Sequence, residues 1–486
     1  MSRTAIVAVI LASLGASALA QEPAPSPAPP AAAPAPEATS VQFPSEVELV
    51  TVDVVVTDKK GNPITGLTAA DFQLVEEGVP QSIASFEAIE LPTTPGAAPP
   101  PRPRVSSNQL PEVRGGRSFV IVYDDIHLSP FQAHRAKTAV SEFLKTGVRE
   151  GDRVTLVATG GGAWWSTRME AGRQELIDML KRLDGRHIPD RSPDRMSDYE
   201  AMRIHVYRDQ QVEERVSRRF ETYGASNRAG RTETEQYMDG DPLVRGRAAE
   251  IYFQSVARNR ITLQVLERVL TSLAGTRGRK SVILVSEGFI YDPNLDEFKK
   301  VVTASRRSNA ALYFVDTRGL SGMPTFASAE FGPPLDNRDI GFAFMDSLQE
   351  AEGAESLAAD SGGFSVKNTN DLAKGIGRIA NETRAYYLLG YNPKDVKRDG
   401  RFRRIEVKVP GRKGIQVRAR RGYFAPLDGA AQADAAKGVD PDIQAALDSP
   451  FDEKQIPIRM TAWVFDETLL GKASTIVGAL VDVSGF

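Results

Sequence analysis

The stretch that decides the fold is SFVIVYDDIHLS, residues 118–129. Its first half is a continuous run of β-branched and aromatic residues, which is typical of a strand buried on both faces of a parallel sheet. Ser129 and Pro130 then form a helix start, because a hydroxyl favours the N-cap and proline favours the first helical position. The intervening Asp124 and Asp125 are therefore expected at the carboxyl end of a central strand, where open α/β sheets bind ligands.

Strand and helix patterns continue to alternate along residues 117–384. Short apolar runs at residues 153–158, 281–285 and 311–316 are typical of buried strands, and amphipathic helix patterns separate them. We therefore predict an α/β domain with a doubly wound, mostly parallel sheet. Residues 186–241 interrupt the alternation with many charges and few large aliphatic side chains. This composition predicts a solvated helical or disordered insertion, with a partner-binding arm as the alternative.

Two shorter segments with strand character flank this domain, at residues 45–91 and 385–425. In the first, Val50, Val52 and Val54 alternate with polar residues, which is the pattern of a half-buried strand. Each segment has too few strands to bury a face by itself. We therefore predict that the two segments pair into one β-sandwich, and that the α/β domain is inserted in it or flanked by it.

The amino-terminal 20 residues have the pattern of a secretory signal peptide. Arg3 supplies a positive charge, an apolar core follows, and the small residues up to Ala20 form a cleavage site. We therefore expect an exported protein, periplasmic or secreted, whose mature chain begins at Gln21. The remaining stretches are predicted to be proline- and alanine-rich linkers at residues 21–44, 92–116 and 426–449, and the start of a further β region at residues 450–486. The strand pattern stops in mid-course at Phe486, which indicates that the β region continues beyond it.

The composition excludes several classes of function. A net charge of −3 argues against nucleic acid as the main partner, because phosphate binding requires a basic surplus. The absence of cysteine excludes disulfides, thiolate metal sites, iron–sulfur clusters and cysteine nucleophiles. Beyond the signal segment no apolar stretch has the length of a membrane helix, so stable membrane insertion is not expected.

Five motifs together resemble a known family. They are VDVVVTDKKGNPITGLTAADFQLVEEG (52–78), YDDIHLS (123–129), ILVSEGF (283–289), YYLLGYNP (386–393) and RARRGYF (418–424). These motifs resemble the von Willebrand factor type A-related proteins common in acidobacteria, and the resemblance covers about residues 45–425. It implies a Rossmann-like type A domain within residues 117–384.

The resemblance also implies a metal site. Type A domains hold a divalent cation with an Asp-x-Ser-x-Ser motif, a distant threonine and a distant aspartate. Placed on this sequence, the ligands become Asp125, His127, Ser129, Thr167 and Glu287, of which the histidine and the glutamate depart from the family pattern. Mg²⁺ or Mn²⁺ is the implied ion, and an imidazole suits Mn²⁺ or Zn²⁺ better than Mg²⁺. The alternative is that Asp125 and Glu287 accept hydrogen bonds from loop amides.

The motif is placed to begin at Asp125 for a chemical reason. Beginning it at Asp124 would put Ile126 and Leu128 at the two hydroxyl positions, and neither side chain can ligate a metal. Starting one residue later puts His127 and a serine there instead. Asp124 is therefore left without a predicted role.

Other chemistries fit the sequence less well. The segment GTRGRKS at residues 275–281 lacks the second glycine of a phosphate loop and precedes a strand, and no HExxH motif is present. A hydrolase would need the side chains of Asp125, His127 and Ser129 to converge into a relay. Trp164 and Trp165, close to the predicted site, are expected either to face a partner or to pack in the core.

The sequence therefore predicts an exported, non-enzymatic protein that mediates protein–protein interaction or adhesion through the carboxyl-edge loops of the α/β domain. A degenerate, divalent-cation-assisted site is one form of this prediction. The partner is an unidentified protein. The alternatives are an envelope hydrolase that uses the acidic loop and a purely structural envelope scaffold.

Overall fold

The computed structural model describes most of the chain after residue 49. The described residues are 50–90, 116–169, 172–190, 192, 194–223, 240–274, 279–320 and 345–425, together with the backbone of strands at 106–107, 458–467 and 473–481. The predicted signal peptide and linkers lie outside these residues, apart from residues 106–107 and residue 116. Within the described residues, no helix is long and apolar enough to cross a membrane.

A six-stranded sheet forms the centre of the α/β region, with the strand order β11-β10-β9-β6-β7-β8. Five of its strands run parallel, and the edge strand β8 runs antiparallel to β7. The strands are β6 (Ser118–Tyr123), β7 (Arg153–Ala158), β8 (Trp164–Arg168), β9 (Lys280–Ser286), β10 (Ala310–Asp316) and β11 (Ser365–Val366). The predicted α/β class with a mostly parallel sheet is thus confirmed.

Helices cover both faces of this sheet. We number the helices in chain order: α1 (Pro130–Thr146), α2 (Arg173–Arg182), α3 (Asp198–His205), α4 (Gln210–Thr222), α5 (Pro242–Ser272), α6 (Asp296–Ser308), α7 (Glu352–Asp360) and α8 (Leu372–Glu382). Residues of α1, α2 and α8 form one hydrophobic core with Phe119, Ile121 and Tyr123 of β6. Residues of α5, α6 and α7 form a second core with Val120 and Val122 of the same strand. Alternate residues of β6 therefore face opposite helix layers, as the pleat of a strand requires.

The two flanking β segments pair with each other, as predicted. Strand β1 (Val50–Asp58) lies between β12 (Ala385–Tyr391) and β14 (Ile415–Ala419), and β4 (Ile83–Glu90) pairs with the other side of β12. A second antiparallel sheet has the order β15-β13-β2-β3. Its strands are β2 (Gln73–Glu76), β3 (Val79–Gln81), β13 (Phe402–Lys408) and β15 (Gly422–Phe424). Side chains of both antiparallel sheets, among them Val52, Leu74 and Ile405, share one core.

The charged insertion contains α3 and α4, which confirms its predicted helical character for the described residues. The expectation of a solvated segment is wrong for these helices. Met202, Val216 and Phe220 pack against Val244 and Tyr252 of α5 in a hydrophobic cluster of their own. The insertion also buries charges, which pair across its helices. Residues 224–239 lie outside the described part of the chain.

The predicted β region near the carboxyl terminus contains two strands, β16 (Ile458–Glu467) and β17 (Ala473–Val481), paired antiparallel. A short strand, β5 (Ser106–Ser107), pairs with the outer edge of β16. Residues 106 and 107 belong to the stretch predicted to be a linker, so that prediction is wrong at these two positions. The sequence pattern could not predict this strand inside a proline-rich stretch, because an element of two residues has no periodicity to detect.

Candidate functional site

Asp124 lies at the carboxyl end of β6 and is completely buried. It continues the face of the strand that carries Val120 and Val122, so its side chain points toward the layer that contains α5. Its backbone N–H still donates to the carbonyl of Val285 in β9, at 3.0 Å. The carboxylate is therefore placed inside the protein, beneath the loops of the carboxyl edge.

Four side chains from four different segments surround this carboxylate. Oδ1 accepts hydrogen bonds from the hydroxyls of Thr159 at 2.9 Å and Thr262 at 2.8 Å. Oδ2 accepts from Ser286 Oγ at 2.7 Å and lies 2.9 Å from His127 Nδ1. Burial opposes the charged form of Asp124, but the attraction of His127 and these hydrogen bonds outweigh it, and the pKa lies below its ordinary value.

The imidazole of His127 is also buried and has partners at both nitrogens. Nδ1 faces Asp124, and Nε2 lies 3.0 Å from Asn259 Oδ1 on α5. The ring packs against Phe289 with centroids 5.3 Å apart. Burial disfavours the charged imidazole, yet the Asp124 carboxylate and its hydrogen bond outweigh burial and raise the pKa of His127. With acceptor oxygens at both nitrogens, the doubly protonated ring satisfies every contact.

Asp125 is buried as well, but it faces the loop that follows β7. Its Oδ1 accepts hydrogen bonds from the backbone N–H of Gly160 at 2.6 Å and from Thr159 Oγ1 at 2.9 Å. Its Oδ2 lies 3.0 Å from Nε of Arg186, in an ion pair. The Thr159 hydroxyl thus lies within hydrogen-bonding distance of both aspartates and joins the two halves of the site.

Ser129 and Glu287 meet at the start of α1. The Ser129 hydroxyl accepts from the N–H of Gln132 and caps the helix, as predicted. The backbone N–H of Ser129 donates to Glu287 Oε1 at 2.6 Å, which places a negative charge at the positive end of the helix dipole. Asp125 and Glu287 therefore both accept hydrogen bonds from loop amides, which is the arrangement that the sequence left as the alternative to metal ligation.

Thr167 does not belong to this site, so its predicted convergence with the other four residues is wrong. It pairs with Val154 near the amino end of β7, because β8 runs antiparallel. Four residues of strand, roughly 13 Å, separate that position from the carboxyl end of β7. Thr159, the residue that directly follows β7, supplies the hydroxyl at the site instead.

A cavity of about 450 Å³ opens beside these loops, between the carboxyl edge and the helical insertion. The residues that line it include His127 and Glu287 from the edge, together with Arg195, Arg258, Arg318 and Glu350. Two of these form ion pairs within the lining: Arg258 contacts Asp198 at 2.7 Å, and Arg195 lies 3.7 Å from Glu350. The cavity therefore presents charges of both signs.

Burial shifts the pKa of several groups that line the cavity. It raises the pKa of Asp346 to about 6, against the opposing attraction of Arg215. It raises the pKa of Glu350 in the same way. It also lowers the pKa of His187 to about 4, with a contribution from the nearby Arg258. At neutral pH His187 is therefore neutral.

Two exposed apolar side chains stand at the mouth of this cavity. Ile188 is 86% exposed and Leu320 is 63% exposed, although both contribute to the lining. Of the two tryptophans near the site, Trp164 packs partly against the core and against the guanidinium of Arg268, whereas Trp165 is 45% exposed. Trp164 therefore meets the expectation of core packing, and the expectation that Trp165 faces a partner stays a prediction.

The contacts do not assemble a hydrolytic relay from the three residues that the sequence offered. Asp125 pairs with Arg186, His127 pairs with Asp124 and Asn259, and Ser129 caps α1. A relay requires the base to contact both the nucleophile and the carboxylate that orients it. Each of the three side chains has a different set of partners instead.

The same contacts do not fit a divalent cation held by the five predicted ligands. Thr167 lies at the opposite edge, both oxygens of Asp125 already have N–H partners, and His127 is engaged at both nitrogens. Within the described residues, no group of three or more histidine, aspartate or glutamate side chains is arranged to hold a metal ion. No step of a mechanism is therefore assigned to a metal.

Several residues of the site were not predicted from the sequence, although their positions in the strand and helix patterns pointed to them. Asp124, Thr159 and Ser286 are each at or directly after the end of a parallel strand, and such positions meet at one edge of a sheet. On α5, the polar residues Asn259 and Thr262 are buried on the helix face that also carries Leu263 and Leu266. A polar pair in the apolar face of a helix predicts a buried partner, because unpaired polar groups are costly to bury.

Comparisons with known proteins give no family assignment. No protein-family model matches the sequence, and a search of curated proteins finds no significant match.

Proposed function

We propose that this chain is an exported, non-enzymatic recognition protein of the von Willebrand factor type A kind, in which the two antiparallel sheets form a β-sandwich. A protein partner binds at the carboxyl edge of the six-stranded sheet. The observation that carries the proposal is the cavity of about 450 Å³ at this edge, with charged walls and an apolar mouth. Clefts at the carboxyl ends of parallel strands are the usual ligand sites of such sheets.

The chemistry of the cavity favours a polypeptide segment as the ligand. Exposed apolar side chains such as Ile188 and Leu320 are typical of contact points in a recognition surface. The charged walls supply partners of both signs, among them Arg318 and Glu287. A peptide with apolar and charged side chains would satisfy both features at once.

The buried network beneath the cavity supports this proposal. Hydrogen bonds to Asp124 connect the ends of β6, β7 and β9 with α5. The loops that carry binding residues are thus attached to a rigid base, and a surface fixed before binding loses less entropy when its ligand arrives.

The mouth of the cavity offers a direct test. Peptides selected from a displayed random library on the wild-type protein should bind a double variant, Ile188→Ala with Leu320→Ala, at least about tenfold more weakly, roughly 1.4 kcal/mol. Both side chains are exposed, so the variant should fold normally. The matched control is Val396→Ala, an equally exposed apolar residue between β12 and β13. Equal binding to wild type and the double variant would contradict the proposal.

The alternatives are separated by other measurements. An envelope hydrolase would turn over peptides, glycans or phosphoesters, and such activity should fall in a Ser129→Ala variant. A purely structural scaffold would yield no peptide whose binding depends on the mouth of the cavity. Export is tested independently by amino-terminal sequencing of the envelope product, which should begin at Gln21.

A further inference from the structure

We propose that Arg186 supplies the positive charge at Asp125 and thereby excludes a divalent cation from this edge. The inference deepens the proposed function, because it makes recognition at this site independent of metal. Removing the guanidinium should therefore leave the Asp125 carboxylate accessible to a cation.

Arg186 contacts the Asp125 carboxylate directly. The Asp125 side chain is 2% exposed, and Nε of Arg186 lies 3.0 Å from its Oδ2, while the arginine side chain is 57% exposed. The guanidinium therefore covers a carboxylate that is otherwise enclosed by protein. A Mg²⁺ or Mn²⁺ ion would have to bind the same oxygen at about 2.1 Å, on the side that the guanidinium occupies. Two cations so close together repel each other, and the fixed one excludes the other.

The position of Arg186 is set by its backbone. The N–H of Arg186 donates to the carbonyl of Asp125 at 2.7 Å, and the N–H of His187 donates to the carbonyl of Leu128 at 2.9 Å. At Gly185, a Cβ would lie 2.3 Å from that same Leu128 carbonyl oxygen, so the two segments approach too closely for a side chain. Two backbone hydrogen bonds and the close packing at Gly185 thus hold Arg186 beside Asp125, even though the arginine side chain is exposed.

The loop after β7 leaves space for the ion pair. A Cβ at Gly160 would lie 2.5 Å from Asp125 Oδ2 and 2.7 Å from Arg186 Cζ, so any larger residue would displace the pair. Gly160 has no left-handed backbone conformation that would by itself call for glycine. The absence of a side chain at this position therefore serves the close approach of the guanidinium.

The test measures metal binding by the full chain, with no partner present. Mn²⁺ binding is followed by loss of the free-ion electron paramagnetic resonance signal, in wild type and in the Arg186→Gln variant. We expect the variant to bind Mn²⁺ at least about tenfold more tightly than wild type. The variant Arg186→Lys retains the charge and should behave as wild type. Adding Asp125→Asn to Arg186→Gln should remove the gained binding.

Three results would overturn the proposal: Arg186→Gln binds Mn²⁺ no more tightly than wild type, Arg186→Lys gains as much as Arg186→Gln, or Asp125→Asn leaves the gained binding in place. Folding of each variant is checked by circular dichroism, and retained backbone hydrogen bonds at residues 186 and 187 favour a native fold. Because no peptide enters this titration, its failure is distinct from failure of the proposed recognition function.

Discussion

Two buried aspartates, at opposite ends of the α/β sheet, have opposite electrostatic behaviour. Asp124 lies at the carboxyl edge, and Asp53 of β1 lies where the antiparallel sheets meet the amino ends of the parallel strands. Both are almost completely buried, at 0% and 6% exposure. The pKa of Asp124 lies below the ordinary value of 3.8, whereas the pKa of Asp53 lies above it.

The difference follows from hydrogen bonding. The closest cation to Asp53 is Arg279, whose Nη1 is 3.7 Å from Oδ2, and within the described residues Oδ1 has no hydrogen-bond partner. Burial therefore dominates the pKa of Asp53, and the attraction of Arg279 and Arg420 and a single side-chain hydrogen bond, with Asn309, do not outweigh it. Burial also lowers the pKa of two positive groups near Asp53, that of Lys280 to about 8 and that of Arg420 to about 10.

The two aspartates differ in how the protein matches their charges. This difference distinguishes the candidate site around Asp124 from the contact region around Asp53, where the antiparallel sheets meet the parallel one. At the carboxyl edge, each oxygen of Asp124 is matched by donors in short, directed contacts. In the contact region around Asp53, charges of both signs are buried together at longer range and attract one another less specifically. Short, directed hydrogen bonds fix the positions of the side chains and loops that they join, which a binding surface requires. Longer-range attraction between charges tolerates small shifts between the two parts of the chain.

The largest expected effect is that of Asp124→Ala. It removes the buried acceptor of the Thr262 and Ser286 hydroxyls and of the His127 ring, whereas Thr159 keeps Asp125 as an acceptor. Removing one partner of a buried charge pair typically costs about 3–5 kcal/mol in the free energy of unfolding. Urea denaturation of wild type and variant measures the loss. A cost below about 1 kcal/mol would mean that the network does not hold the carboxyl edge together.

A smaller effect is expected from Thr159→Val, with Thr167→Val as its matched control. Thr159 donates toward both site aspartates, and losing a buried hydrogen bond to a charged group costs about 1.5–3 kcal/mol. Thr167 is half-buried at the other end of the sheet, so its variant should change stability by about 0.5 kcal/mol or less. The same urea titration compares them. Equal losses in the two variants would contradict the assignment of Thr159 to the site.

The smallest expected effect is a difference in pH dependence. Because the pKa of Asp124 is lowered, its stabilising contribution is present above pH 3.8 and is lost as the pH falls below that value. Because the pKa of Asp53 is raised, the cost of its charge is absent below pH 3.8 and grows as the pH rises above it. A tenfold difference in proton affinity between the folded and unfolded chain corresponds to about 1.4 kcal/mol of stability.

The measurement is the stability of wild type minus that of Asp124→Asn, and separately minus that of Asp53→Asn, at several pH values. The first difference should rise with pH below 3.8 and the second should fall with pH above it. Slopes of the same sign would show that the two carboxylates do not differ as described.

Local patterns were sufficient to predict much of the fold. The uninterrupted apolar run of β6 correctly indicated a strand buried on both faces. The alternating valines of β1 correctly indicated a strand, but its predicted half-buried character is wrong, because residues 52–57 are buried on both faces. The pairing of the two β segments followed from the fact that neither could bury a face alone. The strand inferences use only neighbouring residues, and the pairing inference uses only the number of strands in each segment.

The site was harder to predict, because it depends on strand direction and on distant pairs. Thr167 was predicted at the wrong end of the sheet because the strand β8 was not recognised. Since β8 runs antiparallel to β7, Thr167 lies beside the amino end of β7 and not at the carboxyl edge. Arg186 was predicted to begin the solvated insertion, since nothing in its local sequence shows that its backbone N–H would donate to the carbonyl of Asp125. The buried pair of Glu200 and Arg219 is likewise formed between two helices, 19 residues apart.

Helix α5 has a mechanical consequence. Its 31 residues extend over about 46 Å, and its sequence has no proline after the first position. Tyr252, in its first half, belongs to the insertion's cluster, whereas Leu263 and Leu266 belong to the core of the large sheet. Asn259 and Thr262 lie between these two anchorages. A displacement of the insertion would therefore be transmitted along α5 to Asn259 and Thr262, which form hydrogen bonds with His127 and Asp124.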